Sequence, residues 1–225
     1  MDKEVLRKTA RIYKSISEEC EFDKKTALYK GVNDLKSIHP VVLIDEVTWH
    51  EMNFDGSLSL ECEDEFLRGV EQYMKRSIYQ WKHFLCDMIA TPYIPVCKII
   101  NDSGYGLCVN ENVVSTDDGN NIVSHEYFDQ LESEEDVLKL KLPVISYDEA
   151  ATLSRFNRLG ELIGDIIDIK ITGINSYIST WDKISQLCGV TPLLIDLAER
   201  PDHSHRIVSK FTDIYLEYIR QYETC

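Results

Sequence analysis

The stretch that decides the fold is Val41–Asp55, VVLIDEVTWHEMNFD. Pro40 resets the chain, and the four apolar residues Val41–Ile44 read as a short buried strand. Two acids follow at once, Asp45 and Glu46, and then Trp49, His50 and Glu51. Two readings are open. Either the strand ends in solvent, with the acids capping a loop and Trp49 packing on a neighbouring helix, or the strand delivers these groups to a site.

The pattern on either side makes the strand reading attractive. Upstream, Val5, Leu6, Ile12 and Ile16 recur at helical spacing, and Asp23 can cap a second helix running to about Leu35. Residues 1–38 are therefore expected to form an N-terminal helical extension. Downstream, Asn53–Gly56 is turn chemistry. From Asp64 a long helix carries Phe66, Val70, Tyr73, Met74, Trp81 and Phe84 on one face.

Next comes CDMIATPYIPVCKII (Cys86–Ile100), which Pro92 and Pro95 exclude from a helix. It predicts a strand at 86–90 followed by an extended arm. INDSGYGLCV (Ile100–Val109) predicts a hairpin turning at Asp102–Gly106, and Val113–Val114 and Ile122–Val123 flank the turn TDDGNN. Residues 94–127 are thus expected to be a small antiparallel insertion. Ser146 or Asp148 opens a helix with Leu153, Phe156, Leu159 and Leu162, closed by Gly164. IIDIKITGI (Ile166–Ile174) is the third strand. Short helices near 177–188 and 192–199 follow. A last helix starts at Pro201 with Ile207, Val208, Phe211, Ile214, Tyr215, Tyr218 and Tyr222 along one stripe. Strands separated by long helical crossovers predict a parallel α/β sheet, in a chain whose 225 residues suit one domain.

Composition narrows the function. A net charge of −15 argues against a nucleic-acid partner, because phosphate binding needs clustered Lys and Arg. No apolar run is long enough to span a membrane. The N-terminus lacks the apolar core of a signal peptide, so a cytoplasmic location is expected. The seven cysteines show no Cys-x-x-Cys spacing and read as reduced thiols. Gly104 and Gly106 lie in the expected hairpin, the wrong context for a dinucleotide. His203 and His205, two apart on a helix, do not share a face for a metal.

Three segments resemble the uroporphyrinogen decarboxylase and corrinoid methyltransferase superfamily. LESEEDVLKLKLPVISYDEAATL (Leu131–Leu153) is similar to its acidic helix start and L-x-L-P segment before a long helix. LLIDLAERPDHSHRIVSKFTDIYLEYIRQY (Leu193–Tyr222) resembles its next segment, with Pro, His-Arg and Thr-Asp on a helix. KITGINSYISTWD (Lys170–Asp182) sits where the superfamily has a strand ending in Gly. The resemblance covers most of the chain and implies a (β/α)₈ barrel. Such a barrel needs about 250 residues. With three strands in view, the chain is expected to be a single, partial barrel domain spanning 1–225. IDEVTWHEM (Ile44–Met52) looks like the methyltransferase branch.

That resemblance implies methyl transfer involving a corrinoid or a small acceptor. The alternative within the superfamily is a uroporphyrinogen decarboxylase-type lyase. The lyase's Arg-rich motif after the first strand is replaced here by Asp45, Glu46 and His50, the wrong charge for a polycarboxylate. A further alternative is a non-catalytic subunit that needs a partner chain, or a second copy, to complete the barrel. A corrinoid or zinc is implied as cofactor and a small molecule or corrinoid protein as partner. No zinc ligand set is legible. In a (β/α)₈ enzyme, groups just past the carboxyl ends of the strands do the chemistry. Asp45, Glu46 and His50 are therefore the expected catalytic groups, the carboxylates orienting the imidazole. Trp49 and Tyr93, the latter just past the strand at 86–90, are the expected substrate-binding rings.

Overall fold

The structure, a computed structural model, describes residues 1–37, 39–84, 86–115, 123–174 and 177–225. In chain order come helices α1 (Asp2–Glu19), α2 (Phe22–Asn33), α3 (Trp49–Met52) and α4 (Glu65–His83). Strands β1 (Tyr93–Cys97), β2 (Ile99–Asp102), β3 (Glu111–Val114) and β4 (Ser124–Tyr127) follow. Then come helix α5 (Glu134–Val137), strand β5 (Ile145–Asp148), helix α6 (Glu149–Ile163) and strand β6 (Asp168–Thr172). Helices α7 (Thr180–Cys188), α8 (Val190–Glu199) and α9 (Pro201–Tyr222) end the chain. The fold is mixed α/β. Among the described residues the strands form three two-stranded sheets and no closed barrel. Contacts divide the chain into two compact units: Met1–Cys97 with Ala150–Thr172, and Lys98–Glu149 with Gly173–Cys225.

In the first unit, α1 buries Leu6, Ala10, Tyr13 and Ile16 against Leu67, Val70, Met74 and Ile78 of α4. These spacings of three and four put each set on one face of its helix. Within the anticipated N-terminal extension, α1 is thus part of this core, while α2 buries no residue. Asp64 caps α4 by accepting from Leu67 N–H at 3.0 Å, which fixes where the helix begins. β1 and β6 run parallel, Tyr93 opposite Asp168 and Cys97 opposite Thr172, with α6 in the crossover. Ile94 and Val96 alternate inward from β1 and meet Leu159 and Ile163 of α6 in the same core.

Two expected strands do not form. Val41–Ile44 is extended but lies in no sheet, and Val42, Leu43 and Ile44 stay 52%, 47% and 39% exposed. The segment is tied instead to a loop: Asp87 N–H donates to Val42 O at 2.8 Å, and Val42 N–H donates to the Asp87 carboxylate at 3.0 Å. An apolar run without a partner strand remains a loop. Residues 86–90 are also outside any sheet, and the strand lies at 93–97. Pro95 is tolerated within this strand because each strand of a two-stranded sheet has an open edge.

In the second unit, β2 pairs antiparallel with β5, Ile99 opposite Asp148. The hairpin expected to turn at Asp102–Gly106 is therefore replaced by a non-local pairing. β3 and β4 form an antiparallel pair, Glu111 opposite Tyr127. The turn expected at 116–121, with Ile122, lies outside the described residues. The core is built from Ile184 and Leu187 of α7, Ile207, Phe211 and Ile214 of α9, and Leu131, Val137 and Leu140. Ser133 and Asp136 cap α5 reciprocally, and Pro201 occupies the first turn of α9. Among the described residues, no helix is long and apolar enough to cross a membrane.

Candidate functional site

A parallel strand pair with a helical crossover has a polarity. Ligands of such folds lie beyond the carboxyl ends of the strands, where the helices begin. In the first unit that end is marked by Cys97 and Thr172. A cavity of about 760 Å³ opens beside it, lined by Cys97 and Ile94 of β1, the start of α4 and one face of α6. Arg155 and Arg158, three apart on α6, both enter the lining. The Arg155 guanidinium lies over the Phe66 ring at 5.2 Å. Arg158 donates to the Asp64 carboxylate at 2.8 Å. That bond, with the Leu67 amide, holds the Asp64 carboxyl below its ordinary value. Thr172 donates its hydroxyl to Cys97 Sγ at 3.7 Å. The cavity thus offers two planar cations, a carboxylate paired with one of them and an exposed thiol. Guanidinium forks suit carboxylate, sulfonate or phosphate groups, and an anionic ligand would exchange with Asp64 for Arg158.

The residues singled out by sequence lie elsewhere in this unit. Asp45 and Glu46 are exposed on the extended segment that Gln80 holds by donating to Ile44 O at 3.0 Å. Trp49 packs edge-on against Tyr79 of α4, centroids 6.1 Å apart, and Arg76 covers its face at 5.0 Å. Burial against the ring holds the Arg76 pKa below its ordinary value. His50 has Glu51 as its nearest carboxylate, at 3.7 Å, too long for a hydrogen bond. Asp45, Glu46, Trp49 and His50 therefore gather beside the last turns of α4. The cavity at the strands' carboxyl end is beside its first turns. Tyr93 is the first residue of β1 and not past a strand's end; the Lys170 ammonium sits 4.4 Å from its ring centroid. None of these five residues lines the cavity. Their placement follows from the missing strand at 41–44: without it, the segment attaches to Asp87, ahead of β1.

A second cavity of about 470 Å³ lies between α1 and the later turns of α4. At its edge is the most buried charge pair of the unit. Glu71, with no exposed surface, accepts from the Glu61 amide at 3.0 Å and the Cys62 amide at 2.9 Å. Lys75 Nζ is 2.7 Å away and also reaches Glu61 at 3.3 Å. Burial pushes the Glu71 pKa up, but Lys75 and the two amides together outweigh it and leave the carboxyl below its ordinary value. With all its partners inside the protein, Glu71 is a clamp for the 61–62 loop.

The zinc implied by the resemblance finds no fitting ligand set. Among the described residues, no three His, Cys, Asp or Glu side chains converge so as to hold a metal ion. No family model, curated protein or solved structure matches the chain. The signal that sequence reasoning passed over was the Arg155 and Arg158 pair in RFNRLG. It acquires meaning once β1 is placed at 93–97.

Proposed function

We propose that the chain is a methyltransferase-like β/α protein of the superfamily it resembles, built as part of a (β/α)₈ barrel, and that the cavity beside Cys97 holds a small anionic acceptor. The observation that supports this is the parallel β1–α6–β6 unit with two arginines of α6 lining the cavity beside β1. Strand, crossover and strand is the repeating element of such barrels. Arg155 and Arg158 bind the anionic end of the acceptor, and Phe66 holds the Arg155 fork in place. The lyase alternative would need many cations for a polycarboxylate, and this cavity presents two.

Calorimetric titration with 3-mercaptopropionate, which carries a thiol and a carboxylate, tests the reading. Saturable binding weakened about tenfold in Arg155→Ala and in Arg158→Ala is expected, since a charge-assisted pair contributes on the order of 1.5–3 kcal/mol. Equal binding by the wild type and the double variant, both folded by circular dichroism, would remove it. A second reading is a subunit completed by a partner. It is favoured by the open edges of β1 and β6 and by exposed Val42, Leu43 and Ile44.

A further inference from the structure

The second unit holds a group of tyrosines at the margin of its core. Along α9 the fully packed positions are Ile207, Phe211 and Ile214. Tyr215, Tyr218 and Tyr222 continue at spacings of three and four but remain partly exposed. With Tyr105 and Tyr177 they line a cavity of about 330 Å³, and Asp102 stands in its wall. We propose that this cavity binds a methylated ammonium cation, the rings facing its methyl groups and Asp102 supplying the counter-charge. The proposal rests on this unit alone and is independent of the reading of the Cys97 cavity.

The hydroxyls explain why the rings are available. Tyr218 donates to both oxygens of Asp102, at 3.1 and 3.0 Å. Tyr215 donates to Ser179 O at 3.2 Å, and Tyr177 to the Asp182 carboxylate at 2.8 Å. Each phenol is anchored at its tip by the protein, so the ring needs little ordering when a ligand arrives. Tyr218 and Tyr222 stack with centroids 5.7 Å apart, and Tyr215 is 6.4 Å from Tyr218. Asp102 is itself fixed, accepting from the Gly104 amide at 2.8 Å. It remains exposed, with room for a cation to approach.

The electrostatics have the matching sign. Burial first, and then the Asp102 carboxylate, hold the Tyr218 hydroxyl well above its ordinary pKa; Tyr222 is raised by the same two causes. Burial disfavours charge of either sign, but the Asp102 contribution to both shifts favours a positive charge beside the rings. Lys183 is the cation of the lining, and its ammonium is engaged by Gln186 Oε1 at 3.0 Å. A primary ammonium ligand would surrender strong hydration to enter and would ask for three acceptors. A methylated one is weakly hydrated and spreads its charge over surfaces that aromatic faces attract.

The test compares choline with its neutral carbon isostere, 3,3-dimethylbutan-1-ol, by calorimetry on the full chain. Choline is expected to bind about tenfold more tightly than the isostere. Asp102→Asn should reduce that preference several-fold, leaving the share the rings supply, with the isostere's affinity unchanged. Tyr222→Leu, at a partly exposed position near the chain end, should weaken choline several-fold with helicity intact. Lys183→Met should strengthen choline, because it removes a like charge. Equal affinity for choline and the isostere, no choline binding at about 10 mM, or loss of choline binding in Lys183→Met would each overturn the proposal.

Discussion

Replacing Glu71 by Ala is expected to destabilise the first unit by about 3–5 kcal/mol, the cost of breaking a buried ion pair on one side. The structure supplies the parts of that figure. Glu71 is 0% exposed and Lys75 is 14% exposed. Truncation strands the Glu61 and Cys62 amides, each worth about 1–3 kcal/mol when left unsatisfied. It also leaves Lys75 with Glu61 at 3.3 Å and the Ser59 carbonyl as its remaining partners. Glu71→Gln keeps an acceptor for the amides and gives up the charge, so about 1–2 kcal/mol is expected. Against a total of about 5–15 kcal/mol, the alanine variant approaches the limit of folding. Urea unfolding, followed by Trp fluorescence in a Trp181→Phe background, reads this unit through Trp49 and Trp81. The pH dependence has a definite sign. The folded-state pKa of Glu71 lies below its ordinary value of 4.5. Its contribution is therefore fully present above that value and lost as pH falls through the folded pKa. Glu71→Gln should flatten the acid side of the stability curve. An alanine variant within 1 kcal/mol of wild type (roughly the size of an ordinary surface change) would refute the clamp.

Two further outcomes are expected. Under native conditions a thiol reagent should label Cys97 and Cys108 fast, while Cys62 and Cys188 wait for unfolding. Burial, with nearby acids, pushes both of the latter thiols up to about 12; labelling of Cys62 as fast as Cys97 would contradict the packing. Light scattering at micromolar concentration should show self-association, reversed by Leu43→Lys, because Val42–Ile44 and the edges of β1 and β6 are open. A monodisperse monomer would show that these surfaces are closed by the chain itself.

What was legible in the sequence was what local periodicity encodes. α1, α4 and α9 follow from apolar residues recurring three and four apart, and Asp64 and Pro201 mark two of the helix starts. Strands were less legible because a strand exists only with a partner. Val41–Ile44 has the right composition and no partner, whereas Tyr93–Cys97 carries a proline and pairs with Asp168–Thr172. β2 looks like half of a hairpin, yet its partner is β5, beyond three other elements. The site suffered from the same cause. Its arginines come from α6, its carboxylate from the cap of α4 and its thiol from β1, and no short motif spans those three.

The chain writes each of its units in two pieces that alternate along the sequence. During synthesis, β1 leaves the ribosome well before β6, and its hydrogen-bonding edge must wait while the whole Lys98–Glu149 segment is made. That segment in turn lacks α7 and α9, which hold most of its core, until the last residues emerge. The first unit is complete only once Thr172 has been made and the second only once α9 has, and closing such distant pairings makes folding slow. A nascent chain of this design has good reason to meet a chaperone, and any continuous fragment that holds one unit whole carries a piece of the other with it.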